Sequence, residues 1–71
     1  MFAIYVDGSA KMVTEECAGQ REWHENGQHF SALVPSAATF SDRREANAIK
    51  RAVALRFDGH TFRVGDLFER A

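Results

Sequence analysis

A single cysteine, Cys17, in 71 residues leaves no partner for an internal disulfide. A small secreted scaffold held by bridges is thereby excluded, and a reducing compartment fits best. Apolar runs extend only a few residues, far short of the roughly 20 that a membrane helix needs, and no basic-then-apolar opening resembles a secretory signal. The expected location is the cytoplasm. Glycine is sparse as well: the five residues Gly8, Gly19, Gly27, Gly59 and Gly65 are scattered one to a turn, so no phosphate-cradling loop is present. Large apolar side chains are few, because alanine supplies 11 of the 32 hydrophobic residues. Six Phe, one Trp and one Tyr carry much of the packing, since a ring buries far more area than an alanine methyl. A chain this short buries only about 60% of the surface its unfolded form exposes. Residues 1–71 are therefore expected to form one domain, too small for a large enzyme or a repeat array, and pairing as a homodimer would add stability.

The net charge of −1 conceals an asymmetry. Residues 1–40 set Lys11 and Arg21 against Asp7, Glu15, Glu16, Glu22 and Glu25, whereas residues 41–71 hold seven basic and five acidic side chains. The basic excess gathers at Arg43, Arg44, Lys50, Arg51 and Arg56, and local rather than net charge governs attraction to phosphate.

Residues 2–6 are a short apolar run with β-branched and aromatic content, followed by the turn signal Asp7-Gly8. Residues 11–16 are expected to pair back as a second strand, although Met12 and Val13 are adjacent rather than alternating. Residues 17–28 carry Gly19, Asn26, Gly27 and several charges and predict a loop or wide hairpin, with Trp23 its one large apolar group. Residues 29–34 (HFSALV) predict a third strand ended by Pro35, with Phe30, Ala32 and Val34 on one face and Leu33 on the other.

Asp42 followed by Glu45 three residues later is a capping-box signature for a helix start. The helix is expected to run to about Arg56 and to be stopped by Asp58-Gly59. Ala46, Ile49, Val53 and Phe57 recur at helical spacing as one apolar stripe, and Arg43, Arg44, Asn47 and Arg51 form a basic outer face with Ala48 and Leu55 at its margin. Residues 60–64 (HTFRV) alternate as a last strand, placing His60, Phe62 and Val64 inside, after which Gly65-Asp66 is expected to turn or bulge the chain.

The order β-β-β-α-β predicts an α+β two-layer domain, a mostly antiparallel sheet with one amphipathic helix packed on one face. Phe2, Ile4, Phe30, Phe40, Ile49, Val53, Phe57 and Phe62 are the expected helix-sheet core. Trp23, Leu33, Leu55 and Phe68 have no assured place in it, and Tyr5, Leu33 and Phe68 suggest that the second sheet face is not wholly polar.

The stretch Ala37-Ala38-Thr39-Phe40-Ser41-Asp42-Arg43-Arg44-Glu45-Ala46 resembles the A-x-x-F-x-(S/D)-x-x-E-A pattern of a loose group of small bacteriophage and prophage accessory proteins. The resemblance covers residues 37–57, with support from residues 2–8 and from Trp23. It implies that Phe40 anchors the strand entering the helix. It also implies stoichiometric binding, with anti-CRISPR-like inhibition of a host defence as one outcome and phage regulation as another, in the host cytoplasm.

For chemistry, Cys17, His24 and His29, with Glu25 or His60, are zinc-type donors, but C-x6-H-x4-H lacks the tight pairs that chelate from one turn. Cys17 lacks the oxyanion element and glycine-bracketed elbow of a nucleophile. No cofactor, metal or catalytic residue is expected. Two binding surfaces remain. Glu15, Glu16, Glu22, Trp23 and Glu25 form an acidic stretch that could enter a basic groove on a protein partner as a mimic of nucleic acid, anchored by Trp23. The alternative is nucleic acid on the face formed by Arg43, Arg44, Asn47 and Arg51, against which stand a pI near 6.3 and the acidic first half.

Overall fold

Alternation of Phe2, Ile4 and Val6 with Ala3 and Tyr5 gives the first strand, β1 (Phe2–Val6), an apolar side chain on both faces. The computed structural model describes residues 1–19 and 29–67. Gly8, at φ 78°, supplies the left-handed residue that reverses the chain. The Ser9 amide donates to the Val6 carbonyl at 3.2 Å and the Val6 amide to the Lys11 carbonyl at 3.0 Å. The second strand, β2 (Met12–Val13), then pairs antiparallel with β1 through Tyr5 and Met12.

The expected second strand over residues 11–16 is thus cut to two residues. Thr14 explains the break: its Oγ1 accepts from the Cys17 amide at 3.1 Å, an N-cap bond that starts the short helix α1 (Glu15–Gly19). Glu15 and Glu16 occupy its first turn, where carboxylates suit the positive end of the helix dipole. Glu15 and Glu16, expected at the end of that strand, therefore sit on a helix. Arg56 closes the other end, its Nη1 donating to the Cys17 carbonyl at 3.3 Å.

Strand β3 (Phe30–Ser31) pairs antiparallel with β2, again shorter than the expected residues 29–34. The Ser31 Oγ accepts from the Leu33 amide at 3.1 Å, a local turn that competes with ladder pairing. A 3₁₀ turn with Pro35 follows at Val34–Ser36. Ala32, Leu33 and Val34 are all exposed there, so the expected division of this segment into an inner and an outer face does not hold.

Residues 37–40 then return to the sheet and fill the place where β1 and β2 diverge. Ala38 donates to the Val13 carbonyl at 3.0 Å, while Phe40 and Phe2 exchange two backbone bonds of 2.9 and 2.7 Å. These two bonds tie the approach to the long helix to β1. That helix, α2 (Arg43–Ala54), starts where the sequence predicts, with an Asp42 carboxylate oxygen accepting from the Arg44 amide at 2.9 Å, whereas the Glu45 carboxylate does not reach back to the Asp42 amide and only half of the expected capping box forms. It stops two residues before Arg56, and Gly59 takes the left-handed conformation at φ 87° in the exit turn.

The last strand, β4 (Phe62–Asp66), pairs antiparallel with β1 along all five residues, from Val6 with Phe62 to Phe2 with Asp66. Gly65 and Asp66 therefore lie in the ladder and do not turn the chain. A Cβ at Gly65 would lie 3.0 Å from the Tyr5 Cε2 atom, so glycine here makes room for an aromatic ring on the neighbouring strand. The sheet order is β3-β2-β1-β4.

The helix-sheet core holds Ile4, Val6, Val13, Cys17, Val53, Phe57 and Phe62, with Phe30, Phe40, Ile49 and Val64 packed partly buried against it. Ala46 and Val53 of the predicted stripe are buried at 0% and 1% exposure, and complete burial of one valine contributes about 1.5–3 kcal/mol. Phe57 lies against Phe30 with ring centroids 5.0 Å apart, within the range for tilted aromatic pairs. His60 was expected inside but is exposed, its ring 5.4 Å from Phe30 at the margin of this cluster. On the opposite sheet face Ala3, Met12 and Ala37 form a second buried group with Tyr5 and Leu67 against it. The two-layer α+β architecture is thus present, with a smaller apolar layer beneath the sheet.

Candidate functional site

Two surfaces flank α2, one acidic and one basic. The acidic one lies between α1, residues 37–40 and the first turns of α2. It is a groove of about 270 Å³, floored by Ala18, Ala38, Phe40 and Ile49 and bordered by Glu15 and Glu45. Among the described residues no basic side chain lines it. Capping of α1 by Thr14 fixes Glu15 on one side, and capping of α2 by Asp42 fixes Glu45 on the other. Neither carboxylate has an ion-pair partner among the described residues. Glu16 follows Glu15 on exposed α1 surface. Glu22, Trp23 and Glu25, the rest of the predicted acidic surface, lie outside the described residues.

The basic surface is a broader and more open depression of about 490 Å³ on the outer face of α2, lined by Asp42, Arg43, Arg44, Asn47, Ala48 and Arg51. Helical spacing brings all four predicted side chains of the basic face to one place. Arg43 is partly committed, its guanidinium carbon standing 4.7 Å from the centroid of the Phe2 ring. Arg44 and Arg51 are exposed and have no ion-pair partner among the described residues.

Cys17 is part of the core, with 2% of its surface exposed. Burial pushes its thiol up from the ordinary value of 9.0, Glu16 adds to the rise, and the positive charge of Arg56 opposes it. Burial of this kind disfavours the thiolate, the form in which a cysteine acts as a nucleophile. His29 and His60 belong to a ring cluster: His29 lies 5.1 Å from Phe57 and His60 lies 6.2 Å from Phe62, measured between centroids. No group of three or more His, Cys, Asp or Glu side chains is arranged to hold a metal among the described residues. His24 and Glu25 lie outside them.

Sequence reasoning missed two features. Glu45 was read only as half of a capping box, but its place in the groove depends on α1, whose helical character the run of strand-like residues before it obscured. The second is on the outer sheet face, where the Arg63 guanidinium carbon stands 4.7 Å from the Tyr5 ring centroid and Nε lies 3.2 Å from the Asp7 carboxylate. The cross-strand register of Tyr5 with Arg63 creates this group, and spacing along one strand carries no signal for it. Leu33 and Leu55, left without a place by the sequence, are indeed surface residues at 64% and 86% exposure.

No described helix is long and apolar enough to cross a membrane. Comparison with protein-family models, curated proteins and solved structures finds no match to the chain.

Proposed function

We propose that this protein is a non-enzymatic binding protein whose acidic surface engages a basic protein partner. One observation carries the reading: Glu15 and Glu45, drawn from two separately capped helices, border the same apolar groove with no cation beside them among the described residues. Glu15 and Glu16 also head the stretch that continues to Glu22, Trp23 and Glu25. Exposed carboxylates around an apolar floor complement a surface built for nucleic acid, where charge guides encounter and a buried ring supplies affinity. The motif at residues 37–46 extends this reading to a phage-derived, anti-CRISPR-like inhibitor acting stoichiometrically in the host cytoplasm.

A second reading is favoured by a different observation, the gathering of Arg43, Arg44, Asn47 and Arg51 on one open face. It makes the protein a nucleic-acid-binding regulator whose arginines meet phosphates.

Affinity capture from nuclease-treated host lysate separates the two. A protein partner retained by wild type and by Arg44→Glu/Arg51→Glu, but lost with Glu22→Lys/Trp23→Ala in a variant that keeps its circular dichroism, supports the acidic surface. Full capture by Glu22→Lys/Trp23→Ala refutes it. A salt-sensitive shift of duplex DNA, abolished by Arg44→Glu/Arg51→Glu, supports the basic face instead.

A further inference from the structure

We infer that the groove between α1 and the start of α2 receives an arginine side chain from the protein partner. The inference rests on the acidic-surface reading and adds to it an anchor, a chemistry and a residue, Glu45, that the acidic stretch does not include.

The size of the groove points to a side chain. At about 270 Å³ it lies at the small end of ligand-sized clefts, which begin at roughly 300 Å³, and one long side chain is enough to occupy it. Its floor is Ala18, Ala38, Phe40 and Ile49, and among the described residues its only charged members are Glu15 and Glu45. A purely apolar occupant would leave both carboxylates without a partner, and an anion would be repelled. A long aliphatic stem ending in a cation satisfies both parts: the stem covers the small apolar residues and the head meets the carboxylates.

Among cations, Phe40 favours a guanidinium. Its ring is only half-buried and lines the groove, and a planar guanidinium stacks on an aromatic face while presenting its donors to carboxylates. The same chain already makes this contact twice, with Arg43 over Phe2 and Arg63 over Tyr5, each 4.7 Å from the ring centroid. Lysine has the stem and the charge but neither the plane nor the fork of donors.

The test uses three blocked tripeptides, acetyl-Gly-Arg-Gly-amide and its lysine and citrulline counterparts, titrated into the full chain labelled with nitrogen-15. The arginine peptide is expected to shift the amides of Ala18, Gly19, Thr39 and Glu45 along one saturable curve. The neutral citrulline peptide should bind at least about threefold more weakly, as should the arginine peptide to Glu15→Gln or Glu45→Gln, in keeping with exposed charge pairs. Equal binding of citrulline or lysine, shifts confined to the outer face of α2, or unchanged affinity in both variants overturns the inference. Glu15 and Glu45 are both exposed, and amide spectra of the two variants report directly whether the fold is retained. Capture of the whole partner by Glu45→Gln separates the two levels. Loss of the arginine response with capture intact removes this anchor alone, while failure of capture by wild-type protein removes the acidic-surface reading beneath it.

Discussion

Leu55 and Phe57 stand two residues apart at the exit of α2, and their replacement by alanine is expected to have opposite consequences. Phe57 is buried at 7% exposure, whereas Leu55 is 86% exposed. The Phe57 ring lies 5.0 Å from Phe30 and 5.1 Å from His29, centroid to centroid, and it also meets Phe62 at 6.5 Å. These contacts tie the helix exit to β3 and β4. Removing a buried phenylalanine costs about 3–5 kcal/mol, against a total of about 4–10 kcal/mol for a chain of this length. With a urea dependence of about 1 kcal/mol per molar, Phe57→Ala should lower the unfolding midpoint by about 3 M or reach the baseline altogether. Phe57→Leu conserves most of the apolar volume and should lose about 1–1.5 kcal/mol, which keeps the transition measurable. Leu55→Ala should stay within about 0.5 kcal/mol of wild type. Urea titration followed by far-ultraviolet circular dichroism reads all three. Equal midpoints for Phe57→Leu and Leu55→Ala, or a larger loss at Leu55, would refute the assignment of Phe57 to the helix-sheet interface.

Two further perturbations probe the sheet and the core. Gly65→Val should destabilise the fold by about 1–3 kcal/mol through overpacking against the Tyr5 ring, and in a Tyr5→Ala background most of that loss should disappear; a full loss persisting there would exclude the ring as its cause. Cys17 has a thiol raised by burial above its ordinary 9.0, so the folded chain keeps its proton at a pH where the unfolded chain gives it up. The resulting stabilisation is complete below the unfolded value and declines as pH rises from there through the folded value. Thermal unfolding across that alkaline range should therefore fall more steeply for wild type than for Cys17→Ala, and parallel curves would contradict the buried thiol.

The start of α2 was legible in the sequence because its signals are local. Asp42 caps from two residues away, and Ala46, Ile49, Val53 and Phe57 repeat at the helical period whatever surrounds them. The β1 hairpin was legible for the same reason, since Asp7-Gly8 starts a reversal closed by bonds within residues 6–11. The basic face followed from the helix itself, because four positions at helical spacing share a side wherever that helix packs. Boundaries set by competition were not legible. Thr14 could have continued a strand, but it caps α1, and Ser31 bends the chain where alternation predicted three more ladder positions, residues 32–34.

The sequence by itself determined a small α+β domain with one amphipathic helix, an acidic first half and a basic second half, all properties of period, capping and composition. Only tertiary structure decided that Gly65 belongs in a ladder, because the reason for glycine there is the Tyr5 ring of another strand. Likewise, Cys17 is a core residue because α2 and the sheet close over it. Glu15 and Glu45 are 30 positions apart in the chain, and they border one groove because residues 37–40 carry the start of α2 back beside α1. Local periodicity records which side of an element is apolar; it holds no information about which other element that side, or the charge at its rim, will meet.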